Sequence, residues 1–310
     1  MSKYLTYSYL TVVIVFALFI FFEIRYGGGQ EETANQAESA EFKSTAKQLE
    51  ETEQEFRKAE SQMSQIKIDP EYETMVLVPE GEFVMGNNHG SSTEQPERRV
   101  YLNRYWIDKY EMTFVQYYAF VNATGHRKPR LAGYLGVETK ELPRLMNPFS
   151  AVVGVSWEDA VGYCRWKGKR LPTEAEWEKA AKGMDPRKWP WGNEERAEYA
   201  NLKGDADDAR YTAPVGAFRH DKSPFGVFDM AGDVMEWVAD WYQEDYYAVM
   251  PTRNPLGPER GVQTAHFNAQ RVIRGASWND SLERAKTTVR FKMNPNYRDV
   301  TIGFRCAKSV

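Results

Sequence analysis

The chain opens with a long apolar run. Residues 5–22 carry no charged side chain, and the stretch from Val12 to Phe22 is apolar throughout. An eighteen-residue helix spans about 27 Å, which matches the hydrocarbon core of a bilayer. Charged and bulky residues follow at 23–26, so no convincing small-residue cleavage site ends the run. The pattern predicts an uncleaved single-pass anchor over residues 1–26, with a cleaved signal peptide as the alternative.

The charges around this run give limited information about its orientation. Lys3 lies on one side of the run and Arg25 on the other, and the segment after residue 30 is acidic. The acidic segment favours a cytoplasmic N-terminus. We therefore expect a membrane protein whose remaining residues lie in the periplasm or outside the cell.

Residues 30–67 have the composition of a solvated helix, because Gln, Glu, Ala, Lys and Ser dominate and Gly and Pro are absent. A weak heptad seam runs along it: Phe42, Leu49, Phe56 and Met63, then Thr45, Thr52, Ala59 and Ile66. This seam predicts a helical stalk over residues 27–70 that ends at Asp69-Pro70. Two interpretations stay open, a solvated spacer lying partly on the next domain or a stalk that self-associates or binds a partner.

Short strand and helix patterns fill residues 71–310. Residues 75–85 predict a β-hairpin with its turn at Pro79-Glu80-Gly81, and residues 99–109 form another β-like stretch. Three helices are predicted from capping-box pairs, in which a hydroxyl and a side chain three residues later satisfy each other's backbone amides. These pairs are Thr113 with Gln116, Ser156 with Asp159, and Thr173 with Glu176.

Turn residues dominate from residue 184 onward, and no long helical pattern follows. The pattern predicts an α+β domain in which short helices and short strands are joined by long ordered loops. Aromatic residues make up 14% of the chain, which suits such a domain better than a helical bundle.

Charge and cysteine content exclude several classes of protein. A net charge of -4 lacks the basic field of a nucleic-acid-binding protein, so no nucleic-acid partner is expected. Two cysteines, Cys164 and Cys306, are too few for a zinc-finger array, a four-thiolate iron–sulfur cluster or a disulfide-dense miniprotein. They leave open one disulfide or a reactive thiol.

Signals for catalysis are sparse. The four histidines form no H-x-x-x-H or H-x-H pair, and no G-x-x-x-x-G-K-S/T phosphate loop occurs. Ser277 has no histidine near it in the sequence, so a nucleophilic role is not favoured. Glu174, Glu176 and Glu178 alternate at the start of a predicted helix, where they complement the helix dipole.

Two acidic loops could hold cations. One covers residues 201–209 and the other residues 229–237, and both combine carboxylates with glycine. Ca²⁺ binds six to eight oxygens from carboxylates, amides and backbone carbonyls. Neither loop has EF-hand spacing, so spacing alone favours solvated acidic turns over calcium sites.

Seven sequence motifs occur in a fixed order along the domain. They are MVLVPEGEFVMG (75–86), RYWIDKYEMTFVQYYAFVNATG (104–125), VGVSWEDAVGYCRWKGKRLPTEAEWEKAAKG (153–183), WPWGNE (189–194), TAPVGAFRHDKSPFGVFDMAGDVMEWVADWY (212–242), RVIRGASW (271–278) and GFRCA (303–307). In this order they resemble the formylglycine-generating enzymes, also called sulfatase-modifying factors, over residues 73–308. The resemblance implies a variant C-type-lectin-like fold with little regular secondary structure.

The resemblance also implies two calcium ions and a disulfide. The residues at the family's calcium-binding positions are Asn201, Leu202, Asp207 and Ala209 for one ion, and Asp229, Gly232, Val234 and Glu236 for the other. Leu202, Ala209, Gly232 and Val234 would contribute backbone carbonyls. Family members join cysteines in the YC-x-W and GFRC segments, which correspond here to Cys164 and Cys306.

One departure from the family concerns its chemistry. Active members bind copper through two cysteines placed shortly after the G-S-W/Y motif. Asp280 stands at the first of these positions and the second falls near Ala285, in a segment about three residues shorter than the family's. Cu(I) prefers soft sulfur ligands, so neither residue can replace a thiolate. No catalytic residue, no copper and no formylglycine generation are therefore expected.

These features favour a membrane-anchored, non-catalytic binding or assembly subunit with a protein partner or a membrane complex. The alternative is an oxidoreductase or maturation factor of another chemistry, because the family includes members without the cysteine pair, among them a pyoverdine-maturation protein. Carbohydrate binding, by analogy with the lectin-like fold alone, ranks last because neither E-P-N nor Q-P-D occurs.

Overall fold

A computed structural model describes residues 31–131, 139–204, 209–263 and 268–310, without the side chains of 31–41 and 139. The predicted anchor over residues 5–22 and the predicted calcium ligand Asp207 lie outside these ranges. Among the helices in these ranges, none is long and apolar enough to cross a membrane.

Helices and strands alternate irregularly along the described chain. The α-helices are α1 (Glu31–Met63), α2 (Phe114–Thr124), α3 (Trp157–Trp166), α4 (Glu174–Lys182) and α5 (Tyr246–Val249). The strands are β1 (Met75–Val78), β2 (Gly81–Met85), β3 (Arg98–Leu102), β4 (Tyr105–Asp108), β5 (Met235–Trp241), β6 (Arg271–Arg274), β7 (Arg290–Met293), β8 (Ile302–Gly303) and β9 (Ala307–Ser309). Short 3₁₀ helices occur at Pro70–Glu73, Ser92–Glu94, Thr139–Leu145, Ala197–Tyr199 and Leu282–Ala285. The mixture agrees with the predicted α+β class.

The described strands form small sheets. β1, β4 and β9 make one sheet in that order, β2 and β3 pair with each other, and a third sheet has the order β7-β6-β5-β8. β5 and β8 run parallel, with Glu236 opposite Gly303. This register places the chain just after β8, which contains Arg305 and Cys306, beside the start of β5.

The predicted hairpin at residues 75–85 is wrong. β1 pairs with β4 and β2 pairs with β3, so the two strands lie in different sheets. The Lys179 ammonium accounts for part of this difference, because it donates to the Pro79 carbonyl at 2.7 Å and to the Gly81 carbonyl at 3.0 Å. A hairpin turn would need backbone groups at this point to bond across the turn, and here the lysine binds two of its carbonyls.

The three predicted capped helices are confirmed as α2, α3 and α4. Each has both halves of the capping box that its sequence pair predicts. α2 ends at Gly125, whose left-handed φ of 70° suits a residue without a Cβ. From residue 184 on, the α-helix in the described chain is the one-turn α5, as the turn-rich composition predicts.

Contacts divide the chain into two compact units, residues 1–51 and 52–310. The seam residues of α1 that fall in the second unit are buried or half-buried: Thr52, Phe56, Ala59 and Met63. Glu60 accepts hydrogen bonds from the Tyr118 hydroxyl at 3.1 Å and from the Lys128 ammonium at 2.6 Å. The C-terminal turns of α1 are therefore part of the globular unit.

The predicted Cys164–Cys306 disulfide is confirmed. Its Cα atoms are 5.6 Å apart, and it joins α3 to the segment between β8 and β9 across 142 positions of sequence. Both cysteines are fully buried among aromatic rings that include Tyr117, Tyr163 and Phe304. Neither thiol is therefore free for metal binding or for reaction.

The glutamates of α4 are structural, as the helix-dipole interpretation predicts, and they also carry a buried ion network. Arg274 donates to Glu174 at 3.0 Å and to Glu178 at 2.7 Å, while Arg290 donates to Glu174 at 2.7 Å. Glu176 closes the capping box with Thr173 and does not join this network. These contacts tie α4 to the β6–β7 region and leave the glutamates no catalytic geometry.

Candidate functional site

The start of the first acidic loop, at Asn201, contacts the second acidic loop. The Asp233 amide donates to the Asn201 carbonyl at 2.9 Å, and the Asn201 side-chain nitrogen donates to Asp233 Oδ1 at 2.6 Å. A Cβ at Gly232 would clash with the same Asn201 carbonyl, so this close approach requires glycine. The residues around Asn201 and the loop from Asp229 to Glu236 thus form one polar cluster, called here the two-loop cluster.

Asn201 has the character of a metal ligand. Its side chain is 1% exposed, and its Oδ1 has no hydrogen-bond partner among the described residues. Buried polar atoms of proteins almost always have a partner, and an amide oxygen is a good ligand for Ca²⁺. Asn201 therefore fits the first calcium ion. Leu202 lies next to it in the same loop, Asp207 is outside the described residues, and the full ligand set stays a prediction.

Several carboxylates lie in or beside the second loop, residues 229–237. Asp229 and Asp233 both have left-handed backbones, with φ of 57° and 64°. Asp229 Oδ2 accepts from the Gly216 amide at 2.6 Å, and Asp221 Oδ2 accepts from the Ala231 amide at 3.0 Å. The sequence prediction named Asp229 but missed Asp221 and Asp233. Asp233 lies inside the loop of residues 229–237, whereas Asp221 precedes that loop.

The Glu236 carboxylate forms an ion pair and is not available to a cation. Its side chain is 1% exposed, and its two oxygens accept from the Arg305 guanidinium at 2.7 to 2.9 Å. The Trp177 indole donates to Oε2 at 3.1 Å. Arg305 also donates to the carbonyls of Phe228 and Asp229. The carboxylate predicted to bind the second calcium is therefore already neutralised and hydrogen-bonded.

Glu111 is a carboxylate that no sequence pattern selects. It is 0% exposed, and Oε1 accepts from the Val234 amide at 3.3 Å. No hydrogen-bond donor reaches Oε2 within the part of the chain that the structure describes. In the sequence Glu111 is a lone acid between Tyr110 and Met112, and only its contact with a loop 123 positions away reveals its place.

The electrostatics of the cluster favour a cation. Burial raises the pKa of Asp229 well above its ordinary value, and the carboxylates of Asp221 and Asp233 raise it further. Burial likewise raises the pKa of Glu111, with Asp233 the strongest of its charged neighbours. Burial raises the pKa of Asp221 to about 7. Carboxylates grouped in this way hold their charge only if positive charge is close, and Arg305 supplies part of it.

The side chains of the two-loop cluster do not by themselves form a complete set of metal ligands. In the described ranges, no group of three or more His, Cys, Asp or Glu side chains is arranged to hold a metal ion. Ca²⁺ also accepts amide and backbone carbonyl oxygens, which belong to none of these four side-chain types. A calcium ion here would depend on Asn201 and on the carbonyls of the loops as well as on carboxylates.

Asp280 closes a turn instead of facing an open site. Oδ2 accepts from the Ser277 hydroxyl at 2.6 Å and from the Ser277 amide at 3.0 Å, while Oδ1 accepts from Arg284 at 2.6 Å. Ala285 is 0% exposed and packs in a small core that includes Trp189. These residues do not fit copper, because one is a fully bonded carboxylate and the other has no ligand atom.

Residues 58–310 match the sulfatase-modifying factor enzyme 1-like domain family. The chain belongs to this family. The formylglycine-generating enzyme of Streptomyces coelicolor is 33% identical over 285 residues, covering 75% of this chain and 88% of the relative. A Bos taurus relative, "Inactive C-alpha-formylglycine-generating enzyme 2", is 32% identical over 284 residues, covering 75% of this chain and 87% of that protein. The family resemblance expected from the motifs is thereby confirmed.

A serine/threonine-protein kinase, pkn1 of Chlamydia caviae, is 32% identical over 266 residues, covering 82% of this chain. The match covers only 41% of that relative, so the kinase in its name is not carried over to this chain. Among solved structures, PvdO from Pseudomonas aeruginosa is similar with a TM-score of 0.64 and 28% identity. That match covers 76% of this chain and 94% of PvdO. It supports the family's mixed α+β fold for the domain.

Proposed function

We propose that this protein is a membrane-anchored, extracytoplasmic, non-catalytic binding or assembly subunit built on a formylglycine-generating-enzyme-like domain. The observation that carries the proposal is the turn at Asp280, where both carboxylate oxygens accept hydrogen bonds at the family's first copper position. A side chain bonded in this way stabilises a loop, and a carboxylate lacks the soft sulfur atom that Cu(I) prefers.

The cysteines support the same conclusion. The sequence contains two, and both are in the buried Cys164–Cys306 disulfide. Neither can move to the Asp280 turn to act as a thiolate without opening that bond. The family's oxidation of a substrate cysteine therefore lacks the sulfur ligands that its copper ion needs.

Two further parts of the proposal concern the membrane anchor and calcium. The apolar run at residues 5–22 supports a single-pass anchor with the domain in the periplasm or outside the cell. The orphaned oxygen of Asn201 and the carboxylates near Asp229 support calcium as a structural ion that stiffens the long loops. The Bos taurus relative whose name includes "inactive" is a precedent for a non-catalytic member of the family.

The partner is tested in the native membrane. The full chain is cross-linked in intact cells, extracted in mild detergent and analysed by native electrophoresis and mass spectrometry. We expect one defined partner protein in a fixed ratio with the chain. In cells that express the chain without the anchor residues 1–26, this partner should no longer be recovered with it. A chain that always migrates alone, with or without cross-linking, would contradict an assembly role.

The alternative is an oxidoreductase or maturation factor of another chemistry. The structural similarity to PvdO is the observation that favours it, since PvdO is matched over 94% of its length. Metal analysis of the full chain separates the two functions. Calcium alone supports the scaffold, whereas a redox metal in equal molar amount with the protein supports the enzyme.

A further inference from the structure

We propose that the turn at residues 253–257 docks a protein partner that has an apolar pocket with carboxylates at its rim. The inference rests on the proposed function and assigns a surface to its assembly role. It begins from Leu256, which lies in this turn with a side chain that is 74% exposed.

The backbone that leads into the turn is bound along β3. The Tyr101 amide donates to the Thr252 carbonyl at 2.8 Å, and the Asn254 amide donates to the Tyr101 carbonyl at 2.9 Å. The Asn103 amide also donates to the Asn254 side chain at 2.8 Å. Three hydrogen bonds to one strand therefore fix the chain directly before the exposed leucine.

Gly257 fixes the other end of the turn. Its φ of 82° is left-handed, and a Cβ at this position would lie 2.8 Å from the Asp240 Cβ. Pro255 is buried and restricts the backbone directly before Leu256. A partner that binds Leu256 therefore does not have to order the turn first, which removes part of the entropy cost of association.

A stacked aromatic pair lies beside the turn. The Arg253 guanidinium covers the Tyr101 ring, with its Cζ 4.1 Å from the ring centroid, and Arg253 is three residues before Leu256. Arginine and tyrosine are enriched among the residues that dominate binding at protein interfaces. This pair and the exposed leucine together have the composition of an interface hot spot.

The charges around the turn indicate the chemistry of the partner. Among the described residues, no carboxylate lies within ion-pair distance of three guanidinium groups in this region, those of Arg99, Arg253 and Arg260. Two acids are close in register or sequence, since Glu82 lies opposite Tyr101 and Glu259 precedes Arg260. The positive groups therefore outnumber the negative ones, and carboxylates on the partner would complement them.

A competing explanation is that Leu256 is only an exposed residue of a structural turn, since single exposed leucines are common in proteins. In that case Leu256→Ser would change neither stability nor any interaction. If Leu256 enters a pocket of a partner, the same change leaves stability unaltered and weakens the complex. The two explanations therefore predict different results for one variant.

The first experiment places the photo-cross-linking residue p-benzoylphenylalanine at position 256 of the full chain in intact cells. The control places it at position 297, because Tyr297 is 47% exposed and lies in the turn between β7 and β8. We expect one defined protein adduct from position 256, identified by mass spectrometry, and none of that protein from position 297. Adducts only with lipid, or only with a second copy of this chain, would overturn the inference.

The second experiment measures the affinity of the purified, captured protein for the full chain in detergent. Leu256→Ser should weaken binding at least about tenfold, because the partner no longer buries this side chain, and should leave the melting temperature unchanged. Tyr297→Ser should bind as the wild type does. Arg253→Glu combined with Arg260→Glu should weaken binding most at low salt, where charges are least screened.

Wild-type affinity of Leu256→Ser for the captured protein overturns this inference, and wild-type affinity of the double charge variant at low salt overturns the carboxylate rim. If general cross-linking recovers a partner but position 256 gives no protein adduct, the partner binds elsewhere, so the inference fails and the assembly role stands. If the chain gives no protein adduct by either method and always migrates alone, the assembly role itself fails and this inference fails with it.

Discussion

The Ser277 hydroxyl donates a hydrogen bond to Asp280 Oδ2 at 2.6 Å. The other oxygen of Asp280 accepts from Arg284. The motif resemblance predicts that Asp280 stands at the position of the family's first copper-binding cysteine, and the hydrogen bonds indicate that this side chain stabilises a loop. The loop that follows ends at Ala285, which is buried beside Trp189.

Replacing Asp280 with alanine should destabilise the domain by about 1–3 kcal/mol, because the change leaves the Ser277 amide and hydroxyl and the Arg284 guanidinium without their acceptor. Denaturant unfolding of the full chain in detergent measures the effect. Asp185→Ala is the control, since the Asp185 side chain is 70% exposed and its ion pair with Arg187 should contribute little. Equal, small effects of both changes would argue against a structural role for Asp280.

Removing Arg305 should have a larger effect. Arg305→Met leaves the Glu236 carboxylate buried without its counter-charge, which should cost about 3–5 kcal/mol. Arg104→Met is the control, because its ion pair with Glu80 is exposed and should be worth less than about 1 kcal/mol.

A double variant tests the pairing itself. Arg305→Met combined with Glu236→Gln should cost less than the sum of the two single changes, because neither partner is then left charged and alone. Chemical unfolding of all three variants gives the coupling energy. Strict additivity would show that Glu236 and Arg305 do not stabilise each other.

Gly232→Ala should disturb the contact between the two acidic loops. The new Cβ would clash with the Asn201 carbonyl, and we expect a loss of about 1–3 kcal/mol together with a smaller calcium-induced rise in melting temperature. Gly162→Ala is the control, since the nearest atom to its Cβ would be Phe120 Cζ at an ordinary 3.6 Å. Thermal melts with and without calcium make the measurement, and a calcium response unchanged in Gly232→Ala would count against contact between the loops.

Asp240 should make stability fall as pH rises. Burial raises the pKa of Asp240 to about 8, with Glu174 adding to the rise, whereas the unfolded chain has an ordinary value near 4. Between these values the folded protein holds a proton that the unfolded chain has released, so the free energy of unfolding decreases with increasing pH.

Asp240→Asn isolates that effect. The amide oxygen can still accept the hydrogen bond from the Glu174 amide that the carboxylate accepts at 2.8 Å. We expect the variant to match the wild type near pH 4 and to exceed it by at least about 1 kcal/mol at pH 8. Parallel pH profiles for the two proteins would contradict a buried, protonated Asp240.

Local signals in the sequence predicted local structure well. The helices of Thr113, Ser156 and Thr173 depend on contacts within four residues, so their capping pairs were sufficient to find them. The hairpin prediction failed because strand pairing is decided at long range. β1 has a better partner in β4, and Lys179 on a distant helix binds the carbonyls at the turn.

The candidate site also contains some residues that the sequence predicts and others that only the fold reveals. The family resemblance pointed to Asn201 and Asp229 as calcium-binding positions. Glu111 and Asp221 lie within family motifs, but the resemblance gave them no role, and they enter the cluster only through folding. The pairing of Glu236 with Arg305 joins two segments 69 positions apart, and neither segment alone indicates it. Burial and the charges of distant neighbours, which a sequence pattern does not contain, decide which carboxylates remain available to a cation.

This family member is predicted to have no formylglycine-generating activity. The most direct measurement incubates the purified full chain with copper, oxygen, a reductant and a peptide carrying a sulfatase-type cysteine, and follows the peptide by mass spectrometry. The formylglycine-generating enzyme of Streptomyces coelicolor serves as the positive control. We expect an unchanged cysteine in every sample that contains this protein alone. Conversion of that cysteine to formylglycine by this chain would contradict it.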